Sequence, residues 1–185
     1  MRIVSGKYKG RVLTSFQADH IRPTMDRVKE TLFNKWMHEV DGARVLDLFS
    51  GTGSLGLEAL SRGAQHVDFV ELNNKSIQIL KKNIDLLKIP KEEFSVTKSD
   101  VLGFLRKYQG SAYNLILIDP PFTEKMAHEV MEALDSSACF DDNTLIAIES
   151  IKQERMDDEY NQLIRYDFKD YGDKFLSFFR KKAQS

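Results

Sequence analysis

The feature that most limits what this chain can fold into is an alternation. Between residues 44 and 149, short and nearly continuous apolar runs take turns with segments whose apolar residues recur at helical spacing. The runs are RVLDLF (44–49), HVDFVE (66–71), FSVTKSD (94–100), YNLILID (113–119) and TLIAIE (144–149). Between them lie residues 54–62 with Gly63 after them, a segment carrying Ile77, Leu80, Ile84 and Leu87, a short piece around Leu102 and Leu105, and a segment with Met126, Val130, Met131 and Leu134. A strand apolar on both sides must be covered on both faces, and alternating helices supply that cover. The pattern predicts a three-layer, Rossmann-like α/β domain with a parallel sheet.

The end of the chain departs from this rhythm. Ile164, Tyr166 and Phe168 alternate with Arg165, Asp167 and Lys169, Gly172-Asp173 signals a turn, and FLSFF (175–179) resumes as a strand. A hairpin with no helix between its strands is antiparallel, so the sheet is expected to be mostly parallel with a terminal antiparallel strand. At the other end, residues 2–5 and 11–14 read as a β-hairpin around Gly6 and Gly10. Met25, Val28, Leu32, Phe33, Trp36 and Met37 then recur at helical spacing up to a stop at Asp41-Gly42. A length of 185 residues predicts one domain, 1–185, with 1–40 as an N-terminal basic hairpin and helix extension.

Open parallel sheets bind ligands beyond the carboxyl ends of their strands. The first such end reads Asp47-Leu-Phe-Ser-Gly51-Thr52-Gly53-Ser-Leu-Gly56, in which Gly51 and Gly53 allow a tight turn and Gly56 close helix packing. The second run ends on Glu71, twenty residues after Gly51, where an acid can accept ribose hydroxyls. The third ends on Asp100 and the fourth on Asp119, which two prolines and an aromatic residue follow: IDPPF, 118–122. Prolines cannot donate to a sheet ladder, so that strand must stop there and leave its acid at a tip. Four acids at four successive tips, with glycines at the first, point to a nucleoside-containing cofactor. A dinucleotide needs its pyrophosphate on the helix N-terminus, and acids crowding the turn oppose it. Asp47 just before the glycines suits a cationic ligand such as S-adenosylmethionine.

These same residues carry a resemblance. DLFSGTGSLGLEALSRGA, FVEL, the acid at Asp100 and DPPF are similar to class I S-adenosylmethionine-dependent methyltransferases. The opening MRIVSGKYKGRVL, the segment IRPTMDRVKETLFN and the near-terminal YGD resemble one branch of them, the bacterial small-subunit (16S) rRNA guanine-N2 methyltransferases of the RsmD type. The likeness runs from Arg2 to about Phe179. It implies that Asp47, Gly51, Thr52 and Gly53 line the methionine part of S-adenosylmethionine, that Glu71 and Leu72 hold its ribose, and that Asp100 and Val101 meet its adenine. It implies that Asp119, Pro120, Pro121 and Phe122 form the catalytic tip facing an extruded guanine, with S-adenosylhomocysteine as product. DPPF also occurs among adenine-N6 and other amine methyltransferases, so it identifies the chemistry better than the substrate.

That chemistry accounts for the residue types. A guanine exocyclic amine is a poor nucleophile because its lone pair is delocalised into the ring. Acceptors on its two hydrogens, the Asp119 carboxylate and the Pro120 carbonyl, favour a pyramidal nitrogen. The prolines fix the carbonyl's direction without adding a donor, and Phe122 offers a stacking face. Neither a metal nor a covalent enzyme intermediate is required. The four histidines are scattered without metal-site spacing, and Cys139 lies far from the tips.

Net charge is −1, but its distribution is uneven: residues 1–35 carry eight Lys/Arg against three acids, leaving −6 for the rest. Arg2, Lys7, Lys9, Arg11 and Arg22 are therefore candidates for phosphate contacts with 16S rRNA in small-subunit particles, against the plainer reading of a solvated basic tail. Trp36 fits a core position better than a base platform, and Arg22-Pro23-Thr24 reads equally as a helix cap at Thr24 or as a segment closing over the cofactor. The single cysteine, the absence of an apolar signal region in MRIVSGKYKG and the lack of a membrane-length apolar run predict a cytoplasmic protein, expected as a monomer. Two alternatives stay open: an adenine-N6 methyltransferase on DNA or RNA, and an RNA-binding ribosome-assembly factor without turnover.

Overall fold

The computed structural model describes residues 1–16, 23–123 and 125–183. Its centre is a seven-stranded sheet. Strands β1 (Arg44–Leu48), β2 (His66–Glu71), β3 (Phe94–Lys98), β4 (Leu115–Ile118) and β5 (Leu145–Ile151) run parallel, and β6 (Leu163–Asp170) and β7 (Lys174–Lys181) complete it in the spatial order β3-β2-β1-β4-β5-β7-β6. The antiparallel strand expected at the end of the chain is β7, but it lies between β5 and β6 rather than at the edge. Burial explains the exchange. The apolar β7 has four consecutive buried residues, whereas β6 exposes its last three. The strand that is apolar on both faces takes the inner place, and the strand with the wetter face takes the rim.

Helices cover the two faces. On one side lie α1 (Pro23–Lys35), α2 (Ser54–Ser61) and α3 (Asn74–Leu87), packing Phe33, Leu57 and Leu80 against Phe69, Leu117 and Phe178. On the other, α4 (Val101–Lys107) and α5 (Met126–Asp135) pack Leu105 and Met131 against Leu46, Ile116 and Phe179. Trp36 is core, as its spacing suggested: its ring meets Phe178 edge-on at 5.7 Å, and its indole N–H donates to the Tyr166 hydroxyl at 3.2 Å. Met37 is not; α1 has ended at Lys35, and the Met37 side chain is 61% exposed. Thr24 lies inside α1 rather than capping it, because the helix begins at Pro23, a residue pre-set for the first helical position. Arg22 falls outside the described residues. Among those described, no helix is long and apolar enough to cross a membrane.

The N-terminal hairpin is narrow, bridged at Arg2 and Val12, with the Leu13 amide donating to the Met1 carbonyl at 2.9 Å. It is pinned to the body. Ile3 and Leu13 are buried in the α1–α3 core. The carboxylate of Glu58 on α2, itself fully buried, accepts the amides of Val4 (2.8 Å) and Ser5 (3.0 Å) and the Arg62 guanidinium (2.8 Å). The Lys29 ammonium on α1 stands 3.9 Å from the same carboxylate and donates to the Arg2 carbonyl at 2.6 Å. Further along, the Asn83 side chain of α3 accepts the Thr14 amide and donates to the carbonyls of Thr14 and Thr52. Removing one partner from a buried ionic cluster leaves uncompensated charge and unpaired donors. Glu58→Ala is therefore expected to lower unfolding free energy by about 3–5 kcal/mol, with Glu58→Gln costing less, as measured by denaturant midpoints.

Candidate active site at the carboxyl edge of the sheet

The carboxyl ends of β1, β2, β3 and β4 open into one cleft of about 780 Å³. Glu71, Leu72, Asp100, Val101, Asp119 and Pro121 line it, so residues from three of the four expected acidic tips meet in a single space. Phe49, Asn73, Ser99, Leu102 and Met126 complete the lining, and sequence reasoning had not singled them out. Phe49, just before the glycine-rich turn, adopts φ 58°, a left-handed conformation that is rare for a bulky residue and that nothing in the sequence signals.

Each acid is held differently. Glu71 ends β2, and its Oε2 accepts the Gly51 amide at 2.7 Å while Oε1 accepts those of Leu72 (2.9 Å) and Asn73 (2.7 Å). A carboxylate has about four acceptor positions, so one remains. Asp100 caps α4, its Oδ1 accepting the Gly103 amide at 2.9 Å. Asp119 follows β4, and among the described residues its carboxylate has no hydrogen-bond donor, although burial raises its pKa to about 6, with Lys174 opposing and Asp47 adding to the rise. Pro120 is buried, and the Phe122 ring stands 43% exposed with the Lys174 ammonium 4.2 Å from its centre.

Asp47 sits inside β1 rather than at a tip. It is buried, and its Oδ2 accepts the Gly56 amide at 2.8 Å. A side chain at Gly56 would overlap the Phe69 ring and that carboxylate, which is why glycine stands there. Gly51, Thr52 and Gly53 form the turn behind the cleft. Gly53 takes φ 91° immediately before α2, and the Thr52 hydroxyl points at the Met1 sulfur, 3.7 Å away. None of these four residues lines the cleft, whereas Glu71, Asp100 and Asp119 do.

Of the basic candidates, Arg2 pairs with Asp26 (2.9 Å) and Lys7 with Glu93 (3.0 Å), while Lys9 and Arg11 are exposed with no ion pair among the described residues. Cys139 is fully buried, and burial pushes its thiol up to about 11, so it is a core residue. No cluster of three or more His, Cys, Asp or Glu among the described residues is placed to hold a metal ion.

Comparison with known proteins agrees with this geometry. Residues 1–180 match the family described as conserved hypothetical protein 95. The ribosomal RNA small subunit methyltransferase D of Haemophilus influenzae is 39% identical over 153 residues, spanning 82% of this chain and 79% of the relative. The Bacillus subtilis protein YlbH is 32% identical over 185 residues, 99% of this chain and all of the relative. The solved structure of yhhF from Escherichia coli superposes with a TM-score of 0.87 at 33% identity, covering 100% of this chain and 99% of that one.

Burial raises the Asp47 carboxyl to about 7; the Gly56 amide opposes this and Glu71 adds to it. An acid whose pKa is higher folded than unfolded loses stability as pH rises between the two values, because the unfolded chain gives up its proton first. Asp47→Asn keeps an acceptor for Gly56 and cannot ionise. The difference in thermal midpoint between variant and wild type should therefore move in the variant's favour as pH rises from about 4 to 7, as calorimetry at several pH values will record.

Proposed function

The chain belongs to the conserved hypothetical protein 95 family, that of the small-subunit ribosomal RNA methyltransferases D, and we propose that it methylates the exocyclic N2 of a guanine in 16S rRNA. It is a methyltransferase of this S-adenosylmethionine-dependent family, with ribosomal RNA as the substrate class. The observation that carries the finer reading is Asp119: a carboxylate lining the cleft with no hydrogen-bond donor among the described residues, at the end of a strand closed by two prolines, beside an exposed phenylalanine. A cleft of about 780 Å³ is of the size that small cofactors use, and its carboxylates suit an adenosine ligand with a cationic end.

When bound, S-adenosylmethionine supplies an electrophilic methyl group. The protein's part is binding and orientation. Glu71 offers its remaining acceptor position to a ribose hydroxyl, with Leu72 beside it, and Asp100 and Val101 flank the adenine. Asp47 acts by holding the Gly51–Gly53 turn through Gly56, so that the turn presents a fixed wall to the methionine part. Asp119 and the Pro120 carbonyl accept the two amine hydrogens of the extruded base, turning the nitrogen lone pair toward the methyl group. The Phe122 face stacks on the base, a contact worth about 1–3 kcal/mol. Extrusion is needed because the reacting atom otherwise lies within a stack.

Incubation with labelled S-adenosylmethionine and undermethylated small subunits, followed by nucleoside mass spectrometry, should yield N2-methylguanosine. N6-methyladenosine would favour the adenine-directed alternative, and no product would favour an assembly factor. In single turnover at saturating RNA, Asp119→Asn and Asp119→Ala should lose roughly 10²–10³ in rate while still binding cofactor, the scale for losing one preorganised polar group. Phe122→Ala should be partly rescued by saturation, because stacking acts on capture of the base.

The exposed Lys9 and Arg11 are the clearest candidates for phosphate contact, with Arg2 and Lys7 adding charge beside them. Substitution is the right probe, since the hairpin contributes Ile3 and Leu13 to the core. Lys9→Gln with Arg11→Gln should reduce the slope of log affinity for RNA against log salt by about 1–2 and leave S-adenosylhomocysteine affinity unchanged. An unaltered slope would make these residues a solvated rim.

A further inference from the structure

Strand register places a charged group behind the catalytic tip that the expected site did not include. Ile118 pairs with Ile148, so Asp119 and Glu149 extend neighbouring strands at one level; Glu149 pairs with Leu176, and Ile151 with Lys174. Asp47 pairs with Leu117, two residues before Asp119. Side chains two residues apart share a sheet face, so Asp47, Glu149 and Lys174 project from the face that α1, α2 and α3 cover, with Asp119 following the end of β4 beside them. Glu149 and Asp119 neighbour one ammonium there, and Asp47 stands near Asp119. The Lys174 Nζ lies 3.4 Å from Glu149 Oε2 and 4.2 Å from the centre of the Phe122 ring. Both members of the ion pair are largely enclosed, with side chains 23% and 12% exposed.

We infer that Lys174, held by Glu149, is a positioning residue for the base: its ammonium sets the Phe122 ring and offsets the negative charge that Asp119 must carry. The C-terminal hairpin thereby helps to build the base site. The inference rests on the reading that Asp119 and Phe122 receive the base. Charge alone has a definite consequence here. The groups facing Asp119 are Asp47 from β1, Glu149 from β5 and Lys174 from β7; burial and Asp47 oppose its ionised form and Lys174 favours it, while the charge on Asp119 in turn pushes the Glu149 carboxyl up. An ion pair that merely clamped β5 to β7 would couple to stability and to nothing at Asp119.

The test is the pH profile of kcat/KM on undermethylated small subunits, with S-adenosylhomocysteine affinity and thermal midpoint as controls. Lys174→Met should move the acid limb to higher pH and Lys174→Gln should do the same, both with cofactor affinity unchanged. Lys174→Arg, which keeps the cation, should leave the limb in place. Above the limb, Lys174→Met should still raise KM for the particle roughly two- to five-fold, the weight of one exposed cation–π contact, with kcat preserved. Limbs that stay put, or shift to lower pH, would overturn the inference and leave a structural clamp. Should Lys174→Met fail to fold, the Lys174→Gln limb decides alone. The two readings fail separately: a fully active Asp119→Ala removes the proposed base site and this inference with it, whereas an inactive Asp119→Ala with unmoved limbs removes this inference only.

Discussion

The cleft depends on one hydrogen-bonded carboxylate. Glu71 ends β2, yet its Oε2 reaches across to the Gly51 amide in the turn that follows β1, while its Oε1 gathers the next two amides of its own chain. One hydrogen bond to the carboxylate thereby joins the two strand tips, and two more hold the carboxylate in place for it. Asp47 does the same one layer deeper, joining β1 to the first turn of α2 through Gly56. With these two turns rigid, Asp119 can stand at the next tip without a donor of its own. A carboxylate in that state is costly unless a ligand meets it, which is the usual condition of a reacting group.

A second constraint ties the N-terminal hairpin to the same turn. Asn83 donates to both Thr14 and Thr52, so the hairpin strand and the glycine-rich turn share one side chain. Glu58 anchors the other hairpin strand in the core. The basic residues of the hairpin are thus carried on a mount hydrogen-bonded both to the core and to the turn behind the cleft.

Much of this was legible in the sequence. The alternation of apolar runs and helical segments gave the strands to within a few residues, because burial on both faces forces near-continuous apolarity. Glu71, Asp100 and Asp119 were found because each closes such a run. Asp47 was read as a tip acid but lies inside its strand, since the pairing with β2 and β4 continues past it through Leu48. Glu149 also closes an apolar run, and was readable by the same rule. Lys174 was not: it follows the Gly172-Asp173 turn as one lysine among many, and its neighbours lie on β4 and β5.

By itself, then, the sequence determined the layers, the strand tips and the chemistry of the acids on them, because these follow from local periodicity and from where a chain can stop. Tertiary structure decided what only pairing can decide. It placed β7 inside β6, since two strands compete for one inner position and the more apolar one buries more surface. It turned Glu71 toward the Gly51 amide and put Lys174 over Phe122, contacts between residues 20 and 52 positions apart in the chain. Periodicity within a segment carries no information about register between segments. The charge balance around Asp119 therefore exists only once the sheet is assembled.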